Sequence, residues 1–181
     1  MRLKDKVILV TGSTTGIGEG MVRLFSREGA HVVVHGTRED AARKIAGEIV
    51  QGEHKASWVV GDLADPAVPA QMISSVVEQC GRINGLVNNA ASMTRGTLET
   101  TTLENFNRTI AVNLRAPFLL IQSALPHFRR LGGGKVINIG SVNAYSGERN
   151  QCAYSMSKGG LMTLTRNVAD AYGAEGLRIN Q

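Results

Sequence analysis

With 181 residues, 43% of them hydrophobic and 19% charged, the chain has the composition of one globular domain long enough to bury a core. A formal net charge of +5 raises the question of nucleic acid, but residues 1–94 are balanced and the surplus is spread thinly over residues 95–181, while aromatics at 4% are too few for a base-stacking surface. No apolar run reaches membrane-spanning length, Val7–Val10 is too short for a signal-peptide core, and Cys80 and Cys152 have no ligand spacing, so a cytoplasmic setting without metal, nucleic-acid or membrane partners is expected.

The elements alternate along the chain. Val7–Val10 reads as a buried parallel strand running into Thr11-Gly12. Ile17, Met21, Leu24 and Phe25 recur at helical spacing until Gly29. His31–His35 is the second strand, followed by a helical stripe through Ala41, Ala42, Ile45, Ala46 and Ile49. Ser57–Val60 is the third strand, closed by Gly61-Asp62, and Met72, Ile73, Val76, Val77 and Cys80 mark the next helix. Gly85–Val87 leads a fourth strand into Asn88-Asn89. A long helical region is expected from about Leu103 to Phe128, locally disturbed by Pro117 and Pro126. Val136–Ile139 is a fifth strand, Cys152 to Tyr172 is helical, and Leu177–Ile179 starts a sixth strand. Such alternation predicts an α/β fold with a doubly wound parallel sheet and helices on both faces. Strand order is not readable from periodicity.

Gly12-Ser13-Thr14-Thr15-Gly16-Ile17-Gly18 lies between the first strand and the first helix. Glycines there allow a tight turn and close approach of a dinucleotide pyrophosphate, with the helix N-terminus offering N–H groups to the phosphates. Glycine turns are common, and the motif alone is weak. Asp62, followed by Leu63, stands where a carboxylate accepts from an adenine amino group, although a simple turn aspartate is the plainer reading. Asn89, Ala90 and Ala91 end the fourth strand, with small side chains that leave room for a cofactor. The second strand ends in His35-Gly36-Thr37-Arg38, without the carboxylate that would hold an adenosine ribose and repel a 2′-phosphate. Arg38 suits a phosphate, so NADP(H) is favoured over NAD(H), an inference blurred by Glu39 and Asp40.

Tyr154 and Lys158 share one helix face, thirteen residues and more beyond Ser141. A free phenol titrates near ~10, and service as a base near neutrality requires roughly 3–4 kcal/mol of help. A nearby ammonium favours the phenolate. The Ser141 hydroxyl, just past the fifth strand, is placed to hold a substrate oxygen.

Together, TGSTTGIG at Thr11–Gly18, Asp62, NNAA at Asn88–Ala91, Asn113, Ser141 and YSMSK at Tyr154–Lys158 resemble the short-chain dehydrogenase/reductase family over nearly the whole chain. The resemblance implies a Rossmann-like sheet of order 3-2-1-4-5-6. It implies Tyr154 as general acid/base, Lys158 acting on Tyr154 and on the nicotinamide ribose, Ser141 orienting the substrate, and Asn113 holding a water that relays protons from Lys158. Tyr154 and Lys158 therefore count among the cofactor-binding residues as well. Two departures are Ala91, where glycine is common, and Gly140, where serine is frequent. Family members continue into a substrate lid and a last strand, so residues 1–181 are expected to form a single dinucleotide-binding and catalytic domain that is C-terminally incomplete. The family is usually tetrameric or dimeric, and a homo-oligomer is expected.

The implied reaction interconverts a secondary alcohol and a carbonyl. Polar residues near Ser141, among them Asn143 and Gln151, tilt the substrate toward a polar small molecule such as a sugar, polyol or sugar acid. The alternatives are reduction of a 3-oxoacyl group on an acyl carrier protein, with Arg129 and Arg130 meeting the acidic carrier, and a non-catalytic dinucleotide-binding module.

Overall fold

The computed structural model describes residues 1–181. Six parallel strands form one sheet in the order β3-β2-β1-β4-β5-β6. They are β1 (Val7–Val10), β2 (His31–Gly36), β3 (Lys55–Val60), β4 (Gly85–Asn88), β5 (Gly134–Asn138) and β6 (Leu177–Asn180). The strand reversal falls beside β1, so the carboxyl ends of β1 and β4 open a crevice between them.

Alternate side chains of the strands divide the core. Val7 and Leu9 of β1, with Val33, Leu86 and Val136, pack on α3 (Val68–Cys80), α5 (Ala116–Arg130) and α7 (Cys152–Tyr172) through Met72, Leu120, Phe128 and Val168. Ile8 and Val10, with Val32 and Val34, pack on α1 (Gly16–Arg27) and α2 (Glu39–Gln51) through Val22, Ala42, Ile45 and Ile49. All residues of β1 and β4 are buried, as expected of strands covered on both faces. β5 and β6 instead alternate: Lys135, Ile137, Arg178 and Asn180 are exposed.

The long helical region is three pieces. α4 (Leu103–Ile110) starts at Thr102, whose Oγ1 accepts from the Asn105 N–H at 3.2 Å. A π-helical stretch, Ala111–Arg115, follows, and α5 begins at Ala116. The physical cause is Pro117: a regular helix would bond its N–H to the Asn113 carbonyl, and proline has none. Pro126 does not break the helix; α5 runs on to Arg130. A four-residue helix, α6 (Asn143–Ser146), was not legible in so short a segment.

Phe128 is 1% exposed, and a Cβ on Gly134 would fall 2.3 Å from its ring. Phe128→Ala is expected to lower unfolding free energy by about 3–5 kcal/mol in urea titrations; a loss within ~1 kcal/mol would show that this corner of the core collapses freely.

Candidate active site

The site begins where β1 meets β4. Thr11 is buried, and its Oγ1 accepts from the N–H groups of Asn89 and Ala90, both at 3.0 Å, while donating to the Val87 carbonyl at 3.3 Å. The Asn89 amide nitrogen answers by donating to the carbonyls of Thr11 and Gly12, both at 2.9 Å. The backbones lie so close that a Cβ on Gly12, at φ +61°, would sit 2.8 Å from Ala90 Cα, and one on Gly18 would sit 2.4 Å from the Gly12 oxygen. Gly18 therefore packs helix on strand and does not face the crevice.

A groove of about 760 Å³ opens at this junction, within the range of cofactor sites. Its walls include Gly12, Thr14, Thr15, Gly16 and Ile17 from the glycine turn, Gly36 and Thr37 from the end of β2, Asp62 and Leu63 after β3, and Asn89, Ala90 and Ala91 after β4. Thr15, the N-cap of α1, makes no side-chain bond to the first turn, which leaves those N–H groups for an anion. The glycine turn, the uncapped helix and the size of the groove fit a dinucleotide.

Besides Gly18, the expected residues Ser13 and Arg38 do not join that wall either. Ser13 is fully buried, with Oγ donating to the Val10 carbonyl at 2.7 Å and accepting from the His35 N–H at 3.0 Å; it braces the turn from behind. Arg38 lies on the surface and pairs with Asp40 at 3.1 Å, because a guanidinium in water takes the nearest carboxylate.

Asp62 is held more firmly than a turn residue requires. Its carboxylate accepts from the Ala64 N–H at 3.0 Å and from both terminal nitrogens of Arg108 on α4, at 3.1 and 3.4 Å. The Ala64 N–H, then the Arg108 guanidinium, hold its carboxyl below the ordinary range. Arg115 donates to the Ala64 carbonyl, a second clamp from the same helical segment.

Tyr154 and Lys158 are brought together as their spacing implies: Nζ lies 5.6 Å from the centre of the phenol ring. Lys158 is 2% exposed, and Nζ donates to the Ile139 carbonyl at 2.5 Å. Burial lowers its pKa to about 8. Ile139 stands two residues before Ser141, so this bond also brings the lysine to the backbone that carries the serine. Ser141 Oγ accepts from the Asn143 N–H at 3.2 Å, and Asn143 Nδ2 donates to Gln151 Oε1 at 2.9 Å, joining the two expected substrate-side residues across α6 and α7.

Neither Tyr154 nor Lys158 lines the groove wall itself. Asn113 makes the connection. In the π-helical stretch and 1% exposed, it accepts from the Ser92 N–H at 2.7 Å and donates to the Ser92 carbonyl at 2.9 Å and to Ser157 Oγ at 3.0 Å. Ser157 Oγ in turn donates to the Tyr154 carbonyl at 2.7 Å. Both N–H donors of the Asn113 side chain are thus engaged by protein, and this side chain ties the groove wall at Ser92 to the turn of α7 bearing Tyr154.

The short chain dehydrogenase family pattern matches residues 6–181. An uncharacterized oxidoreductase of Thermotoga maritima is 36% identical over 180 residues, covering 99% of this chain and 71% of that protein. A meso-2,3-butanediol dehydrogenase of Serratia marcescens is 33% identical, over 99% of this chain and 70% of its own length. The crystal structure of a gluconate 5-dehydrogenase from Burkholderia cenocepacia J2315, in complex with NADP and tartrate, superposes with a TM-score of 0.92 at 29% identity, covering 97% of this chain and 69% of that one. The chain belongs to the short chain dehydrogenase family, a family of dehydrogenases and reductases acting on alcohols and carbonyls. No helix is long and apolar enough to cross a membrane.

Sequence reasoning missed His35, Ser92, Arg108 and Ser157. Only Ser157 carried a signal, its place within the Tyr154–Lys158 turn; the others meet the site through long-range contacts.

The Lys158 shift has a defined sign. Between about 8 and its ordinary 10.5 the unfolded chain holds a proton that the folded chain has released, so stability rises with pH through that window, and the full desolvation penalty is present below it. Comparing urea unfolding of wild type and Lys158→Met at pH 7, 9 and 10, the wild type should gain relative to the variant with a slope approaching one proton; a flat or falling difference would contradict the burial.

Proposed function

We propose that residues 1–181 form the dinucleotide-binding and catalytic domain of an NAD(P)-dependent oxidoreductase that interconverts a secondary alcohol and a carbonyl. The observation that carries this reading is the buried Lys158 ammonium, held over the Tyr154 ring and anchored to the strand end that presents Ser141. A nicotinamide dinucleotide bound in the groove would supply the hydride acceptor or donor.

The chain's own residues handle the proton and the orientation. Ser141 Oγ, already accepting from Asn143, retains its own hydrogen to donate to the substrate oxygen. Tyr154 takes the hydroxyl proton during oxidation and returns it during reduction. The Lys158 ammonium favours negative charge on the phenol oxygen, an effect strengthened by burial and lost as the amine becomes neutral above about 8. Its bond to the Ile139 carbonyl fixes the ammonium without neutralising it. Asn113 and Ser157 hold the Tyr154 turn at a set distance from the groove.

The cofactor assigned is NADP(H). The end of β2 carries Gly36, Thr37 and Arg38 and no carboxylate, and the similar Burkholderia gluconate 5-dehydrogenase is in complex with NADP. Asp40 is the opposing influence, since Arg38 must leave it to reach a 2′-phosphate. The substrate assigned is a polar small molecule of the polyol, sugar or sugar-acid class. The Asn143–Gln151 pair beside Ser141 supports this, as do relatives named for butanediol and gluconate. For the acyl-carrier alternative, Arg129 is engaged by Glu175 at 2.5 and 3.0 Å, whereas Arg130 pairs with no carboxylate and would be the cation left for an acidic carrier.

Tyr154→Phe should lower kcat/KM by about 10²–10⁴ while cofactor affinity measured by calorimetry is retained. Equal turnover by variant and wild type would remove the tyrosine from the chemistry, and turnover by neither across a panel of polyols and sugar acids would favour a binding module. Arg38→Ala should raise the KM for NADP about tenfold, ~1.4 kcal/mol, and leave that for NAD unchanged; equal effects on both would refute the phosphate role.

A further inference from the structure

We infer that His35 is a positioning residue of the cofactor groove, bolting the glycine turn to the loop after β3 only while its ring is neutral, so that dinucleotide binding weakens in acid. The inference deepens the functional reading above and rests on it.

His35 ends the inward-facing part of β2 and is 2% exposed. Its Nδ1 lies 3.0 Å from the Gly12 amide nitrogen, and its Nε2 lies 3.1 Å from the Gly61 carbonyl oxygen. The chemistry of the two partners assigns the tautomer. A backbone amide only donates, so Nδ1 must present a lone pair; a carbonyl only accepts, so Nε2 must carry the hydrogen. The main chain of His35 repeats the same grip: its N–H donates to Ser13 Oγ at 3.0 Å, and its carbonyl accepts from the Ser13 N–H at 2.8 Å. One buried residue thus holds Gly12 and Ser13 on one side and the residue before Asp62 on the other. Those are two walls of the groove, and His35 lines the floor between them.

Protonation destroys this arrangement by geometry alone. A second N–H at Nδ1 would face the Gly12 N–H, donor against donor, with no acceptor between them. The ring or the turn must then move, and an unpaired buried donor is unfavourable wherever it goes. The charged group facing the ring is Asp62 on the loop after β3, itself paired with Arg108 of α4 at 3.1 Å. Burial, the larger influence, holds the imidazole below its ordinary 6.5, while the Gly61 carbonyl and Asp62 act in the opposite direction.

ADP-ribose is a suitable probe, because it carries the pyrophosphate but lacks the 2′-phosphate that would itself titrate. Calorimetric Kd values are compared from pH 8 down to the lowest pH at which each protein stays folded, with His35 protonation followed by NMR over the same range, for wild type, His35→Asn and His35→Gln. The wild-type Kd should rise once pH falls through the imidazole's lowered pKa, which lies under the ordinary 6.5, with a slope approaching tenfold per pH unit when the ring is protonated in the free protein. His35→Asn, whose amide oxygen accepts from Gly12 at any pH, should give a flat profile, and His35→Gln, if it folds where the asparagine variant does not, should also be flat. A flat wild-type profile overturns the inference. So does tighter binding in acid, the outcome if attraction between imidazolium and phosphate dominated. If ADP-ribose fails to bind at pH 8, the failure belongs to the functional reading, and His35 is then judged in the free protein by nitrogen NMR. There, Nδ1 should be unprotonated and Nε2 protonated at pH 8, and the Gly12 amide should shift with the His35 titration. The reverse tautomer, or a Gly12 amide indifferent to pH, refutes the strut.

Discussion

Thr11 and Asn89 exchange hydrogen bonds across the carboxyl ends of β1 and β4, and the rest of the site is built outward from that exchange. Parallel strands that end side by side leave free backbone groups at the switch point, and these need partners before the chain can turn away. Here one buried hydroxyl and one carboxamide satisfy four of them, the Thr11 and Gly12 carbonyls bonded to Asn89 and the Asn89 and Ala90 amides bonded to Thr11. The consequence is a pair of turns pressed together so tightly that only glycine fits at Gly12 and Gly18. The groove is therefore rigid at its root, as a cofactor site requires when affinity depends on preorganisation.

The second constraint is the burial of a cation. An ammonium removed from water needs compensation, and Lys158 has one carbonyl and one aromatic face. No carboxylate pairs with it, and its pKa falls to about 8 in consequence. An acidic partner would have stabilised the charge and also cancelled its field at the phenol. An arrangement without a carboxylate costs stability but keeps the field directed at Tyr154, as the proposed proton transfer requires.

The groove and this cation lie on different walls, and their alignment depends on a chain of buried polar contacts from Ser92 through Asn113 and Ser157 to the Tyr154 carbonyl. Pro117 contributes indirectly. By denying a donor to the helix it opens the π-helical stretch in which Asn113 sits. A residue that reads as a helix breaker is thus a determinant of where the asparagine side chain points. Arg108 and Arg115 extend the coupling by clamping the Asp62 loop from the same segment.

The alternation of strands and helices, the glycine turn and the Tyr154–Lys158 pair were legible in the amino-acid sequence, because each is local: a period of two or 3.6, a turn between neighbours, two side chains one helical turn apart. The segment boundaries at β2, β3 and β5 shifted by one or two residues, since strand ends depend on pairing with another chain segment. What only tertiary structure decided is which polar groups find one another over long separations. Ser13 Oγ took the His35 N–H, Asp62 acquired Arg108, and His35 joined Gly12 to Gly61. A side chain's type states which bonds it is able to make, but the partner it obtains is set by which buried donors and acceptors the packed sheet leaves without water.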